Sequence, residues 1–377
     1  MNGSDKFLII TTEFPPGPGG IGNHAYNLAK FLKLNKNDVT VLAVSDFVSD
    51  EDKKEFDKKQ DFKIIRFARF ENKLKTYSER LSLIKKNVRE GNYSNIIFSG
   101  MSSLMSMLLL KKFKSGSNFI SIAHGGEINA KNIIEKTIVN KSLSFSDLII
   151  PVSRFSCSMI DSKIDKNKMH VIPNGFDLNM SEVIHLPAYE RKAIKGAVRL
   201  VSVGSIWPRK GHHNVLNALQ EIISDHPGTT YDIVGRESDT SLCRNYFSDE
   251  RLKDSIKIHG QISNDKMYAV LNSSDIFILL SETQPGGDFE GFGIAVIEAN
   301  YFGLPSIGSL DSGMEDSIKD GISGILVNPK DKNQIRKAVS DICNNYSHFS
   351  EGAKKWAEEH HWSVIIKRYI DVINNIK

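Results

Sequence analysis

Short apolar segments alternate with longer segments of helical spacing, and the whole alternation runs through the chain twice. In the first series the apolar segments lie at residues 6–12, 39–44, 95–99, 119–123, 148–152 and 169–172. In the second series they lie at residues 198–204, 231–235, 256–260, 276–280, 305–308 and 322–327. Strands buried on both faces of a parallel sheet have this composition, because helices between them cover the faces. The alternation predicts an α/β protein with two Rossmann-like domains that face each other across a cleft.

The domain boundary is predicted from residues 178–195, a polar segment without a clear period that is typical of a linker. This places the first domain at residues 1–185 and the second at residues 186–357. Helical spacing in the first domain lies at residues 21–34, 74–90, 101–113, 129–144 and 153–162. Residues 358–377 predict an amphipathic packing helix. Its apolar side chains recur at Trp362, Ile365, Ile366, Tyr369 and Ile373.

Composition narrows the class of protein further. With 377 residues, 40% of them hydrophobic and 25% charged, the chain is unlike disordered, collagen or coiled-coil sequences. Its three cysteines contain no CxxC pair, which argues against a disulfide framework and indicates a reducing compartment. No secretory signal pattern begins the sequence, and the apolar segment 101–110 is too short to span a bilayer. We expect a cytoplasmic protein that is at most peripheral at the inner face of the plasma membrane.

A glycine-rich loop at residues 13–22 (EFPPGPGGIG) follows the first strand and opens a helix. Glycines let the backbone approach an anion closely, and a helix N-terminus offers free N–H groups. Gly19, Gly20 and Gly22 are therefore candidate phosphate ligands. The order GxGGxG departs from the dinucleotide fingerprint GxGxxG, and the alternative interpretation is a tight strand–helix turn.

A basic turn at residues 207–211 (WPRKG) follows the first strand of the second domain. Arg209 and Lys210 place two cations at the carboxyl end of a strand, just before a helix, and this predicts a phosphate or diphosphate site. The spacing differs from that of a Walker A loop, so it does not indicate an ATPase. The alternative is a solvated basic turn.

Two glutamates eight positions apart flank a glycine-rich helix start at residues 286–299 (GGDFEGFGIAVIEA). Glu290 and Glu298 can bind the hydroxyls of a sugar and of a ribose, with a diphosphate between them at the helix N-terminus. Two carboxylates so placed are also compatible with the acid/base pair of a glycosidase, or with surface glutamates. Gly291 and Gly293 favour the anion site.

Together these segments resemble the retaining glycosyltransferases of family 4, which have the GT-B fold. The resemblance rests on the E-x7-E pair, the RKG turn, the GGIG loop, VIPNGFD at residues 171–177 and HGGE at residues 124–127. It covers nearly the whole chain in the expected order, including the C-terminal Trp-Ser helix that crosses back to the first domain. It implies an N-terminal acceptor-binding domain and a C-terminal domain that binds a nucleotide sugar.

In the first domain, the resemblance implies that Gly19 and Gly20, with Gly22 in the same loop, face the donor phosphates and the acceptor pocket. His124 would lie near the transferred sugar or the acceptor. Because a lone histidine at a strand end is usually structural, the neighbouring glycines and Glu127 are what favour a functional role.

In the second domain, the resemblance implies that Lys210 neutralises the diphosphate, Glu290 holds sugar hydroxyls and Glu298 holds the ribose. Many family members have an arginine where this chain has Ser205, and Arg209 is the residue that could supply the missing charge. The backbone positions implied for the phosphate are Phe292, Gly293 and Ile294.

The function expected from these residues is a retaining, metal-independent transfer of a hexose from a UDP- or GDP-sugar to a glycan or lipid-linked acceptor. Such a reaction belongs to the synthesis of bacterial surface polysaccharide of the O-antigen or capsule type. We expect no cofactor besides the donor, no metal site and no nucleic-acid partner. The alternatives are a sugar-nucleotide epimerase of the same architecture, a non-catalytic sugar-nucleotide-binding protein and a dehydrogenase. The residues do not decide between uridine and guanosine.

Charge is unevenly spread, since residues 1–185 hold 27 Lys+Arg and 20 Asp+Glu whereas the remainder is acidic. Two segments, 74–89 and 102–114, combine apolar residues with clusters of lysine and arginine. Such helices can rest on anionic lipid, and a weak, salt-dependent membrane contact is therefore expected. The alternative is that residues 101–110 form a buried helix.

Overall fold

The computed structural model describes residues 5–44, 48–114, 116–130, 132–178, 180–183, 185–186 and 196–376. The chain divides into two compact units, one of Met1–Asn174 with Trp362–Lys377 and one of Gly175–His361. The break falls at Asn174–Gly175 instead of at residues 185–186, because Phe176 already forms a backbone bridge with His361 of the second unit. Residues 187–195 of the predicted linker lie outside the described residues.

The first unit is built on a six-stranded parallel sheet. Its strands are β1 (Lys6–Thr11), β2 (Asp38–Ala43), β3 (Lys63–Arg66), β4 (Asn95–Ser99), β5 (Asn118–Ala123) and β6 (Leu148–Pro151). They lie in the order β3-β2-β1-β4-β5-β6, and Ile9 of β1 lies opposite Val41 of β2 and Ile97 of β4. All three side chains are fully buried, as expected for a sheet covered on both faces.

Six helices of the first unit connect these strands. They are α1 (Gly20–Leu34), α2 (Asp50–Lys58), α3 (Lys73–Glu90), α4 (Met101–Met107), α5 (Ile133–Phe145) and α6 (Arg154–Ser158). Side-chain oxygens that accept a first-turn N–H explain where several of them begin. These capping residues are Ser49, Asn72, Asn132 and Ser153.

The structure corrects several predicted elements of the first unit. Residues 169–172 form no strand, only an isolated bridge between Met169 and Ile149, because Pro173 has no N–H with which to continue a ladder. The helix predicted at 153–162 is the short α6, and the one predicted at 101–113 becomes a 3-10 helix from Leu108. The edge strand β3 was not predicted, since it has no fully buried residue.

The second unit repeats the architecture. Its strands are β7 (Arg199–Val203), β8 (Thr230–Val234), β9 (Ile256–Gly260), β10 (Ile276–Leu279), β11 (Ser306–Ser309) and β12 (Gly324–Val327). The order β12-β11-β10-β7-β8-β9 is that of the first sheet when each is counted from its own first strand, and it is the Rossmann order. The helices are α7 (Met180–Val183), α8 (His212–Asp225), α9 (Arg244–Phe247), α10 (Asn264–Ser273), α11 (Ile294–Tyr301), α12 (Met314–Ser317), α13 (Lys332–Asn344) and α14 (Tyr346–Glu359).

The last helix, α15 (Trp362–Asn374), belongs to the first unit, where it packs on α1. The C-terminal helix, which we predict to return to the first domain, lies in the same unit as residues 1–174. The helix begins at Trp362 and not at residue 358, because α14 runs to Glu359 and a short turn follows. All five predicted apolar residues of α15 are buried. Among the described helices, none combines the length and apolar character needed to cross a bilayer.

Candidate active site

The glycine loop of the first unit surrounds a carboxylate of the chain itself. Thr11 ends β1, and its hydroxyl donates to the carbonyl of Glu13 over 2.9 Å. The Glu13 carboxylate accepts from the backbone N–H groups of Ile21 and Gly22 at the start of α1. Burial raises the pKa of Glu13, and those two N–H groups partly oppose the rise. The helix start that was predicted to hold a phosphate thus already holds an anionic group.

Gly19 is needed where Glu13 meets the loop. Its φ of 145° lies in the region that favours glycine, and a Cβ there would stand 2.0 Å from Oε2 of Glu13. At Gly20, by contrast, no other atom lies within 4 Å of the position that a Cβ would take. The two adjacent glycines therefore differ: the first is required by its backbone conformation beside Glu13, and the second has room for a side chain.

His124 follows β5 at the same edge of the sheet. Its Nε2 lies 2.9 Å from the hydroxyl of Ser99, which ends β4, and its ring packs edge-on against His24 at 4.9 Å between centroids. His24 in turn bonds the hydroxyl of Tyr369 on α15 over 2.8 Å. Burial lowers the pKa of His124 to about 3, so the ring is neutral at physiological pH. It can exchange hydrogen bonds with a sugar hydroxyl but cannot act as a cation.

Glu127 adds a second buried carboxyl beside His124. It accepts the backbone N–H of His124 over 2.5 Å. Burial raises the pKa of Glu127, and the negative charge of Glu13 raises it further. Hydrogen bonds from the backbone N–H groups of residues 124, 125 and 127 partly oppose this rise. Neutral histidine rings and buried carboxyls make this edge suited to sugar hydroxyls, which both donate and accept hydrogen bonds.

In the second unit, the basic turn meets the first glutamate of the E-x7-E pair. Lys210 Nζ lies 2.6 Å from Oε2 of Glu290, and Arg209 Nη1 lies 2.7 Å from the same oxygen. Arg209 Nε also lies 3.2 Å from the carboxylate of the more exposed Asp288. The structure thus brings two adjacent predicted site residues, Arg209 and Lys210, together with a third, Glu290, which lies about 80 positions later in the chain.

Backbone contacts hold the basic turn in place. The N–H of Glu282 donates to the carbonyl of Arg209 over 2.8 Å, just after β10. Gly211 has a φ of 68°, and a Cβ there would lie 1.6 Å from the carbonyl oxygen of Leu280. Only glycine permits this approach, so the turn that carries both cations is pressed against the end of β10.

Electrostatics keep Glu290 ionised. Its side chain is only 12% exposed, and burial alone would raise its pKa. The charges and hydrogen bonds of Lys210 and Arg209 outweigh burial and lower the pKa of Glu290 to about 2. Both cations bind Oε2, so Oε1 of Glu290 has no hydrogen bond from the described residues.

The segment after Glu290 leads directly into α11. The N–H of Gly313 donates to the carbonyl of Glu290 over 2.9 Å and fixes the loop. Phe292 is buried, with its ring 5.9 Å from that of His360. Gly293 precedes Ile294, the first helical residue, so the predicted phosphate positions surround a helix N-terminus whose first N–H groups have no partner within the helix.

Glu298 lies on α11, apart from the cluster of Arg209, Lys210 and Glu290. It is half-buried, and it has no hydrogen bond or ion pair with any residue that the structure describes. Burial raises its pKa to about 7, and its charge contributes to raising the pKa of the neighbouring Tyr268, after burial itself. A half-buried carboxyl without a partner is a candidate to bind hydroxyl donors.

No three His, Cys, Asp or Glu side chains within the described ranges are grouped so that they could hold a metal ion. The cluster around the basic turn of the second unit contains two cations, Arg209 and Lys210, and two carboxylates, Asp288 and Glu290. Of these, only Asp288 is appreciably exposed, at 45% of its side chain.

Comparison with known proteins identifies the chain. Residues 18–180 match the family described as Glycosyltransferase Family 4, and residues 190–359 match the family described as Glycosyl transferases group 1. The chain is a glycosyltransferase of group 1 and family 4. As a member, it is a transferase, and its two α/β units form the GT-B fold.

Individual relatives of this glycosyltransferase are distant. A GDP-mannose-dependent monoacylated alpha-(1-6)-phosphatidylinositol monomannoside mannosyltransferase of Corynebacterium glutamicum is 22% identical over 353 residues, covering 92% of this chain and 90% of that protein. The amylovoran biosynthesis glycosyltransferase AmsK of Erwinia amylovora is 26% identical over 215 residues, or 55% of this chain and 50% of that protein. The structure of Anabaena Alr3699/HepE in complex with UDP matches with a TM-score of 0.75 at 16% identity, covering 97% and 99% of the two chains.

The sequence did not predict three residues that hold parts of the glycosyltransferase site in position: Glu13, Ser99 and Glu282. Glu13 was read as the start of a loop, although an acid directly after β1 and before a glycine-rich helix start is a signal that it could cap that helix. Ser99 carried no local signal, because its contact with His124 depends on the pairing of β4 with β5. The role of Glu282 in holding the basic turn likewise depends on a contact between distant segments.

Proposed function

We propose that this glycosyltransferase is a retaining, metal-independent hexosyltransferase. It moves a hexose from a nucleotide-diphosphate sugar to a hydroxyl of a glycan or lipid-linked acceptor. The observation that carries this proposal is the pair of cations, Arg209 and Lys210, on one carboxylate oxygen of Glu290, four residues before the first residue of α11.

Charge explains why this cluster suits a diphosphate leaving group. When the bond between the sugar C1 and the phosphate oxygen breaks, negative charge grows on the diphosphate. Lys210, Arg209 and the N–H groups of Phe292, Gly293 and Ile294 supply positive potential there, which is the task that a divalent cation performs in other transferases. Arg209 stands in for the arginine that Ser205 replaces.

The proposed retention does not use Glu290 as a nucleophile. A carboxylate that is bound by two cations and has a pKa of about 2 is a weak nucleophile, so a covalent glycosyl-enzyme is disfavoured. In the proposed route the C1–phosphate bond breaks and the acceptor oxygen attacks C1 from the same face. The acceptor proton goes to the departing phosphate. Oxygen Oε1 of Glu290 accepts a hydrogen bond from a hydroxyl of the sugar.

The remaining site residues take supporting roles. Glu298 accepts hydrogen bonds from the ribose, for which its lack of a partner among the described residues prepares it. His124, neutral and hydrogen-bonded to Ser99, contacts a hydroxyl of the transferred sugar or of the acceptor. Since Glu13 occupies the start of α1, we infer that Gly19 and Gly20 contribute mainly to the acceptor side.

The names of the relatives support the substrate classes. The C. glutamicum relative is named for GDP-mannose and a phosphatidylinositol glycolipid, and the E. amylovora relative for the polysaccharide amylovoran. The Anabaena structure contains UDP. We therefore propose a UDP- or GDP-hexose as donor and a role in bacterial polysaccharide or glycolipid synthesis.

Acceptor-dependent release of nucleoside diphosphate tests the proposal. The purified chain is incubated with UDP- and GDP-hexoses, each with and without a pool of lipid-linked and free glycan acceptors, and released UDP or GDP is measured. We expect release with one donor series that requires an acceptor. Isomerisation of the donor sugar without release would support the epimerase instead.

A further inference from the structure

A cavity of about 540 Å³ lies within the first unit. Its walls come from the end of β1, from the residues that follow β2 and β3, from α3 and α5, and from α4 with the 3-10 helix that follows it. The volume falls in the range of small-molecule sites. The side chains that line it are mostly apolar, and they include Ile10, Val44, Leu81, Ile84, Met105 and Leu108.

The apolar surface continues from the cavity to the outside. Tyr77 and Leu109 line the cavity and are 61% and 56% exposed, and Leu74, one turn before Tyr77 on α3, is 80% exposed. Large apolar side chains that are exposed together at the mouth of an apolar cavity are typical of a binding site for an apolar ligand.

Arg80 gives this cavity a charged group that forms no ion pair in the described part of the chain. Its guanidinium lines the cavity, with its carbon 5.8 Å from the centre of the Phe67 ring, and its Nε is buried without a hydrogen-bond partner. It forms no ion pair with Glu135, which also lines the cavity, or with any other described residue. A buried, unsatisfied guanidinium N–H indicates a missing acceptor, and phosphate is the acceptor whose geometry it matches.

The cavity adjoins the edge that carries His124. Thr11 lines it and ends β1, two residues before Glu13. Met101 also lines it and follows β4, whose last residue, Ser99, is bonded to His124. A molecule with its chain in the cavity can therefore present its polar end at this edge of the sheet.

We propose that this cavity binds the hydrocarbon chain of an acceptor lipid whose phosphate contacts Arg80. The inference rests on the proposed function, and it narrows the acceptor from any glycan to an anionic glycolipid or lipid-linked sugar. The apolar walls exclude a free glycan as the occupant, because its hydroxyls would lose their hydrogen bonds to water there.

Direct binding of three probes tests the chemistry. Isothermal titration calorimetry measures farnesyl phosphate below its micelle-forming concentration, farnesol, and inorganic phosphate, without any donor. We expect farnesyl phosphate to bind most tightly, farnesol about tenfold more weakly and inorganic phosphate not measurably. A negative heat-capacity change should accompany binding of farnesyl phosphate, because apolar surface is buried. Equal affinity for inorganic and farnesyl phosphate would overturn the proposal.

Variants locate the binding. Ser106→Phe adds a ring to the cavity wall from α4 and should weaken binding of both farnesyl probes about tenfold or more. Arg80→Gln should weaken binding of farnesyl phosphate about tenfold and leave farnesol unchanged. Arg89→Gln, on the same helix but outside the cavity, is the control for loss of a positive charge. Binding unaffected by both cavity variants would contradict the proposal, whereas equal loss in the control would indicate a surface-charge effect only and also overturn it.

The outcome is independent of catalysis. If the chain binds farnesyl phosphate in the cavity but releases no nucleoside diphosphate from any donor, the transferase proposal fails and the cavity assignment stands. If it glycosylates a free glycan and binds no farnesyl probe, the cavity assignment fails and the transferase proposal stands. Thermal unfolding of each variant confirms that it is folded before binding is measured.

Discussion

Lys210 and Arg209 share one oxygen of Glu290, so each cation is already held in position before a donor arrives. A preorganised cation stabilises developing charge without reorganising during the reaction. At this scale the account depends on charge placement, and single substitutions test it.

Lys210→Ala should reduce turnover on the order of a hundredfold, because loss of one such contact removes about 3 kcal/mol of transition-state stabilisation. The measurement is kcat of the purified variant, with thermal unfolding to show that it is folded. Lys337→Ala, which removes an exposed cation of the same unit, is the matched control and should leave kcat unchanged. Near-normal turnover in Lys210→Ala would contradict the diphosphate role.

Glu298→Gln should raise the donor KM with little change in kcat, because the ribose contact is similar in the ground and transition states. By contrast, Glu290→Gln should lower kcat, since Glu290 is proposed to touch the transferred sugar. The ionised form of Glu298 binds hydroxyls best, so the wild-type KM should rise as pH falls through about 7. In Glu298→Gln that pH dependence should disappear; its persistence would assign it to another group.

The raised pKa of Glu298 also makes the stability of the fold depend on pH. Its pKa is about 7 when folded and near 4.5 when unfolded, so the folded state binds the proton more tightly between these values and stability falls as pH rises. Glu298→Gln should therefore raise the free energy of unfolding by about 3 kcal/mol at pH 8 and leave it unchanged below pH 4.5. Urea unfolding measures this, and exposed Glu359→Gln is the control.

At the scale of elements, the start of α1 depends on Gly19 and not on Gly20. Gly19→Ala places a Cβ 2.0 Å from the Glu13 carboxylate at a φ of 145°, and it should lower the free energy of unfolding by about 1–3 kcal/mol. Gly20→Ala, with open space around its Cβ, should change stability by less than about 0.5 kcal/mol. Adding Glu13→Ala to Gly19→Ala should recover part of the loss in a double-mutant cycle. Equal effects of the two glycine variants would contradict this contact.

The basic helices of the first unit carry the proposed membrane contact. Leu104 and Leu110 are buried in the core, which favours the alternative that residues 101–110 pack inside the unit instead of on a membrane. Lys114 forms an ion pair with Asp147 over 2.6 Å. Other basic side chains of these segments lie against aromatic rings, such as Lys111 over Phe145. Lys85, Lys86 and Lys112 have neither an ion pair nor a ring contact with any described residue, and they carry this prediction.

Co-sedimentation with phosphatidylglycerol vesicles at low and high salt tests this contact. We expect weak binding at low salt, lost at high salt. It should fall on the order of a hundredfold when Lys85, Lys86 and Lys112 become Gln, since each near-surface lysine contributes about 1 kcal/mol. Exposed Lys54, Lys58 and Lys63 changed to Gln form the control. Equal loss in both triple variants would contradict a specific surface.

The sequence predicts the buried elements of each sheet better than the exposed ones. The strands that run through the middle of each sheet are continuously apolar, and their predicted bounds agree with the structure to within about two residues. The edge strand β3 packs only partly buried residues and left too weak a pattern. The turn at His360–His361 divides two helices whose apolar spacing runs on in the sequence, so the start of α15 was placed too early.

For the whole molecule, the two sheets share one strand order, and that repetition is visible as the repeated alternation in the sequence. In the second unit, Arg209, Lys210 and Glu290 converge because the parallel strands β7 and β10 end at the same edge of the sheet. Their pairing could not be predicted, since it depends on contacts such as Gly211 against Leu280 that join segments about 70 residues apart. The cavity beside α3 is likewise a product of packing between helices, with no local motif.

The most direct test of the account is the anomeric configuration of the product. The chain is incubated with the donor that it accepts and a lipid-linked acceptor, and the reaction is followed by ¹H NMR with parallel measurement of released nucleoside diphosphate. We expect one new glycosidic linkage for each nucleoside diphosphate released, with the same anomeric configuration as the donor. An inverted linkage, or a donor sugar that is isomerised without any linkage being formed, would contradict it.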